Sequence, residues 1–521
     1  MMATCATFLV LPLRNLKTLV TKEDLERGFE LHEHSIQVDS LAEYLDVIKM
    51  KLIMFFLGFL IICTIWEANT IRTMVTKRFD DFMVLLGILQ MFAIAVLPFA
   101  ISLQAHYPKD VLTIILTAIT LVIINILELF MTIYAFSCPR LLHMAMASWD
   151  TSQRRRLMVV WCIKPVFDII LVAVISAFTL METRLAILLF LILVLWPLVR
   201  KLVFYLGRRV VNETKQEKSR FFWHLSRGQI SKERVEVFTD AAVAIIACVL
   251  VLDITVEDFP SLHDVKEMGL IAVLKHMDFE YYNFFGTYIA VTLLWYVNHT
   301  VLNLFHTIDY VSLYLQKIFL VFLCLAPLSN NMLTRFGSKG NYDTKVTMLW
   351  MFGTLFAAAI TQFLMLIWGY WRKEKFLHQW AVSTSVKDAM SKKQHRYILL
   401  KTLTIPFWTF VGFLANCGKG NKPVIVVIAC GVMTCLTFVV LKFLHMNHIG
   451  KEGVSRFLNI NSQASDKDLY MSKEMQEEVD DGNTEFQTED DYEKDTRLPK
   501  ANKEKIPKHA YVNSMEGELK D

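Results

Sequence analysis

The residues with most chemistry to offer sit where charge is expensive. In RVEVFTDAAVAIIACVLVLDI, residues 234–254, an arginine and an aspartate open a run otherwise suited to crossing a membrane, and Asp253 stands at its far end. Charges beside hydrocarbon are costly, so a lipid-facing anchor has no use for Arg234, Phe238, Thr239 and Asp240 at its start. Arg234, Phe238 and Ala241 are spaced four and three apart and share one helix face. Ala241, Ile245, Cys248 and Leu252 continue that stripe at helical spacing. Asp240 follows Arg234 within two turns, and a charge pair there would hold the helix to its neighbours, with Trp295, Asn298 and His299 of the next apolar run as candidate partners. Two chemistries compete for the stripe. As a pore wall it would gate by an apolar constriction that controls wetting, because no carbonyl loop of the TVGYG type occurs in the chain. As a packing face it would present small residues to another helix.

Glu128, Lys164 and Asp168 also lie within apolar runs, where ionisable groups are functional candidates by default. Lys164 and Asp168 are four apart, so mutual pairing accounts for them without function. Glu128 is expected near the cytosolic end of its helix. No HExxH, GxSxG or P-loop spacing is present, and GKGNK at 418–422 lacks the glycine–lysine–Ser/Thr spacing of a phosphate cradle, so the chain reads as no enzyme and calls for no cofactor. The nine cysteines form no CxxC pair, which leaves no zinc site or disulfide framework indicated. A net charge of +4 is too small and dispersed to argue for nucleic acid.

These residues have to be positioned by membrane helices. The chain is 54% hydrophobic with a mean hydropathy of +0.40, and eleven segments approach the roughly 20 apolar residues that a crossing needs. They are 48–69, 82–104, 111–137, 157–181, 184–199, 235–254, 282–303, 310–334, 346–371, 397–416 and 423–443. MMATCATFLVLPL, residues 1–13, is apolar but short and reads as the back half of a helix, making twelve crossings. Loops after even-numbered crossings then hold 24 Lys plus Arg and those after odd-numbered ones 13, which puts both termini in the cytosol. The Asn212-Glu213-Thr214 sequon lies in the most basic loop and is expected to stay unmodified.

An internal repeat orders the helices. Trp66-Glu-Ala-Asn69 recurs as Trp295-Tyr-Val-Asn298, and at the same offset of 229 Asp80 meets Asp309, Leu86 meets Leu315 and Pro98 meets Pro327. The fold class read from this is an all-α polytopic membrane protein of two tandem six-helix repeats, the first helix of the first being truncated. The repeats are parallel, because each crosses an even number of times. Residues 1–199 form the first repeat, 200–233 a basic cytosolic linker, 234–445 the second repeat and 446–521 a disordered charged tail.

RVEVFTDAA resembles the Arg-x-x-x-Phe-Ser-Asp-Ala opening of the endosomal and lysosomal potassium and proton channels of the transmembrane protein 175 family, with Thr239 in the serine place. LLWYVNHT at 293–300 and the Pro327 helix are similar to that family's second repeat; WEANT at 66–70, VLPFA at 96–100 and YAFSCPRLL at 134–142 are similar to its first. The resemblance implies a homodimer in the lipid of endosomal and lysosomal membranes, K+ as permeant ion with H+ as a second candidate, and no cofactor. It further implies four first helices around one pore, a gate at Ile245 and Cys248 where the family carries threonine. Asn69 and Asn298 replace the family's usual histidine, although His299 is adjacent. ATCATFLVLPL would put Thr4 and Thr7 at the corresponding first-repeat positions. Two other expectations stand beside the channel: a non-conducting or modulatory truncated form, and a secondary transporter, which would break its helices at matching mid-membrane positions.

Overall fold

The computed structural model describes residues 41–107, 110–143, 151–179, 230–253, 268–337, 342–372, 376–378, 392–417 and 423–448, with a few single positions including 2, 3, 5, 9, 255 and 381. The 184–199 segment, most of the 200–233 linker, Asn212, the tail beyond 448, Thr4 and Thr7 lie outside these residues.

Helices dominate. The first half carries α1 (Leu41–Val75), α2 (Asp81–His106), α3 (Val111–Ser137), a 3-10 turn at Pro139–Leu141 and α4 (Thr151–Thr179). The two-residue strand β1 (Ile230–Ser231) leads into α5 (Lys232–Leu252), the short α6 (Leu270–His276) and α7 (Asp278–Leu302). Strand β2 (Thr307–Ile308) precedes α8 (Tyr310–Cys324), α9 (Ala326–Phe336), α10 (Tyr342–Trp371), α11 (Lys392–Cys417) and α12 (Pro423–His448). Among the described residues nine helical spans are long and apolar enough to cross a membrane. α7 falls outside that number because Tyr, Trp, Asn and His lower its hydropathy, yet its 25 residues reach about 37 Å. The chain is an all-α polytopic membrane protein.

The helices depart from the hydropathy boundaries for physical reasons. α1 runs past residue 69 to Val75, because the polar side chains of its last turns are buried and bonded to one another and to neighbouring helices rather than released to water. The 310–334 run divides at Leu325 into α8 and α9, with Pro327 in the first turn of α9, where a missing N–H costs nothing. Pro98 instead lies inside a continuous α2.

Corresponding devices hold the two halves. Asp80 caps α2, its Oδ1 accepting from Met83 N at 2.9 Å, and accepts a second hydrogen bond from the Tyr134 hydroxyl of α3. Those two donors hold the Asp80 carboxyl below its usual range. Asp309 caps α8 through Ser312 N at 3.0 Å and accepts from Trp368 Nε1 of α10 at 3.0 Å. After α1, Thr76 pairs with Leu142 as an isolated antiparallel bridge; after α7, Phe305 pairs with Leu377, and Thr76 and Phe305 stand 229 residues apart.

The principal hydrophobic core draws on both halves and includes Met2, Ala3, Cys5 and Leu9 from the N-terminal run. Burial is uneven. The α8–α9 span has 72% of its apolar window buried, while that of α12 has 6%, its residues being mostly half-buried or exposed.

Candidate functional site

The site is built around α5. Its start is pinned by a minimal antiparallel sheet in which Ile230 faces Ile308 and Ser231 faces Thr307. Lys232 Nζ donates to Asn303 Oδ1 at 2.6 Å. Glu236 lies 2.8 Å from His299 Nδ1 and 3.7 Å from Lys232 Nζ. Arg234 donates to the Thr73 hydroxyl at the end of α1. Lys232 and Glu236 thus reach the end of α7 and Arg234 the end of α1, and the helix axis is fixed at this end.

Two turns in, the FTD residues contact three different helices. Phe238 is buried and packs on Trp66 of α1, ring centroids 4.5 Å apart. Thr239 is fully buried; its hydroxyl donates to Val235 O at 2.8 Å and accepts from Gln316 Nε2 of α8 at 2.9 Å. Gln316 Oε1 in turn accepts from Gln362 Nε2 of α10 at 3.2 Å. Asp240 Oδ1 accepts from Trp295 Nε1 of α7 at 2.8 Å. A buried donor–acceptor chain of this kind is costly to leave incomplete, so it fixes the rotation of α5 as well as its position.

The opposite face is different in kind. Ala241 and Ile245 are half-buried, Cys248 and Leu252 are exposed, and Val237 (68% exposed) and Val251 widen the same side. One side of α5 is therefore packed by Phe238, Thr239, Ala242, Ile246, Val249 and Leu250, while among the described residues the apolar stripe runs from partly buried at Ala241 and Ile245 to exposed at Cys248 and Leu252.

The outcomes for individual residues differ. Trp295 is the partner of Asp240, as the spacing suggested. His299 stacks on Trp295 and pairs with Glu236, not with Asp240. Asn298 is buried, and its Oδ1 has no hydrogen-bond partner among the described residues. The expected pairing of Arg234 with Asp240 is replaced by separate partners, since six residues along a helix turn the two side chains far apart. Phe238 turns inward onto Trp66 of α1, the helix that Arg234 reaches at Thr73, so these two residues do lie on one face. Lys164 and Asp168 pair at 3.2 Å. No group of three metal-ligating side chains occurs among the described residues.

Sequence reasoning passed over a second polar set. Glu128 does not stand near water alone: it accepts from Arg72 and, at 2.9 Å, from Gln90 Nε2, while Arg72 also donates to Asn69 Oδ1. Glu67 accepts from Lys317 Nζ at 2.7 Å, with the two side chains 6% and 3% exposed. The signal was present in the lone lysine inside LYLQKIFLVF and in the glutamate beside Trp66.

The family match falls on the same stretch. The family model described as the endosomal/lysosomal potassium channel TMEM175 matches residues 234–327, from Arg234 to Pro327. A Danio rerio protein named endosomal/lysosomal proton channel TMEM175 is 27% identical over 57% of this chain and 54% of its own length. Proteins of the same name from Gallus gallus and Mus musculus are 24% and 26% identical, over 71% and 79% of this chain and 74% and 78% of theirs. The alignments thus span from about half to about three quarters of these relatives. Among solved structures, a lysosomal potassium-selective channel TMEM175 homologue from Chamaesiphon minutus aligns at 18% identity and a TM-score of 0.33, over 40% of this chain and 97% of that one. The names matched are those of ion channels and not of enzymes, and over Arg234 to Pro327, the stretch that holds Phe238, Thr239 and Asp240, this chain is similar to the TMEM175 family.

Proposed function

We propose that the chain is an ion channel of endosomal and lysosomal membranes that passes potassium, with protons as a second permeant ion, along a path walled by the stripe of α5. Two copies bring their first helices together in a homodimer, and Ile245 forms the apolar gate, flanked by Ala241, Cys248 and Leu252. Arg234, Phe238, Thr239 and Asp240 hold that wall in a fixed pose. The observation that carries the reading is the two-faced character of α5: three hydrogen-bonded or stacked anchors on one side, and on the other an apolar face that is half-buried to exposed among the described residues. The relatives' names support the ion and the organelle. Loop charge supports cytosolic termini, and the paired caps and bridges support the repeat. A transporter with mirrored mid-membrane breaks fits less well, since the division at Leu325–Ala326 has no counterpart at Pro98.

The test is patch-clamp recording from enlarged endolysosomes that express this chain or Ile245→Asn. Potassium current is expected in both, larger in the mutant by about tenfold, as for removal of about 1.4 kcal/mol of dewetting barrier. No change in a well-expressed mutant would remove Ile245 from the path.

A further inference from the structure

The two residues that hold α5 from behind are each followed in the chain by a buried charge. Trp66, which stacks on Phe238, precedes Glu67; Gln316, which donates to Thr239, precedes Lys317. Glu67 and Lys317 bond to each other at 2.7 Å, 250 positions apart in sequence, and are almost wholly removed from solvent. Lys317 Nζ also lies 4.7 Å from the ring centroid of Tyr314, one turn earlier on α8. The four residues thus link two consecutive positions of α1 to two consecutive positions of α8, with Phe238–Thr239 of α5 gripped by the outer members.

Burying two opposite charges seldom adds stability over an apolar pair of similar volume, so stability alone is a poor account of this one. What a short charged bond does provide is register. A turn of α1 or α8 about its own axis would leave both charges unpartnered in a low-dielectric interior, so the two helices tolerate little relative rotation. Trp66 and Gln316 are carried on those helices, and the rotation of α5 follows theirs.

We infer that Glu67 and Lys317 are positioning residues: their ion pair locks α1 of the first half to α8 of the second and thereby sets which side chains of α5 face the conducting path. The inference rests on the channel reading above, and its test separates the two. Cys248 is an exposed thiol on the stripe. Its rate of modification by a small charged methanethiosulfonate is followed by peptide mass spectrometry and, in parallel, by the change in potassium current, with Cys248→Ser as the variant whose current the reagent should leave alone.

The decisive protein is the double variant Glu67→Gln/Lys317→Met, which removes both charges and leaves neither orphaned. Its Cys248 modification rate is expected to differ from the parent's by about threefold or more, the lower range for residues that couple through shared contacts. A rate within about twofold of the parent's overturns the inference, whatever the current does. If the double variant fails to fold, Glu67→Asp takes its place. Shortening that side chain by one bond of about 1.5 Å should shift the rate, and the longer reach of Lys317→Arg in the same protein should restore it. A folded Glu67→Asp with parental labelling also overturns the inference. Labelling that shifts in these variants while modification never alters current supports the lock and removes the pore.

Discussion

In the first half, His143 N donates to Val75 O at 2.9 Å and Lys77 N to Leu141 O at 3.0 Å; in the second, His378 N donates to Leu304 O at 3.1 Å and His306 N to Phe376 O at 2.8 Å. The backbone frames correspond, down to the aspartate cap and the aromatic donor that reaches it. The interiors do not. The first half buries a charged set, Arg72 with Glu128, Gln90 and Asn69, whereas the second buries the neutral set Thr239, Gln316 and Gln362. A frame held by backbone bonds lets the polar filling diverge, because every filling only has to satisfy its own donors and acceptors.

That contrast is open to attack by mutation. The largest effect is expected at Arg72→Met, which leaves the Glu128 carboxylate buried without its guanidinium and should cost about 3–5 kcal/mol. Gln316→Leu, at the centre of the neutral set, should cost about 1–3 kcal/mol for the groups it strands. Thermal unfolding of both proteins in one detergent ranks them, and equal losses would mean that charge makes no difference between the halves. A smaller pair of effects concerns glycine. A Cβ on Gly369 would stand 2.6 Å from the buried ring of Phe305, so Gly369→Ala should destabilise by about 1–3 kcal/mol. Gly87 of α2 has nothing within 4 Å, so Gly87→Ala should stabilise by about 0.5–1 kcal/mol. Opposite shifts in melting temperature are the expected readout. The caps are of similar small size: Asp80→Ala and Asp309→Ala should each cost about 1 kcal/mol, and a clear inequality between them would undo the correspondence of the two frames.

The frame was legible in the sequence to a considerable degree. Hydropathy located the long helices, the offset of 229 paired Asp80 with Asp309, and Trp295 stood among the three partners named for the start of α5. What was hidden depends on azimuth between helices. Glu67 and Lys317 meet only because α1 and α8 present those faces to each other, and nothing within 250 residues of sequence records that. The same holds for Arg72 and Glu128: Arg72 follows the 48–69 run in sequence and Glu128 was expected near a helix end, yet together they are interior. The different fates of Pro98 and Pro327 were equally out of reach, since hydropathy weighs a proline alike in a helix interior and in a first turn.

The small sheet that pins α5 also sets a clock. Synthesis proceeds from the N-terminus, so α5 is complete about 40 residues before Trp295 exists and more than 50 before Ile308 can pair with Ile230. Through that interval, the described side chains already made that touch its anchor residues are Trp66 and Thr73 of α1. The first half therefore serves as the template on which the later helix is laid. A nascent chain stalled after residue 294, before Trp295 is added, should already bring Phe238 within cross-linking reach of Trp66, and would fail to do so if α5 waited for its second-half partners.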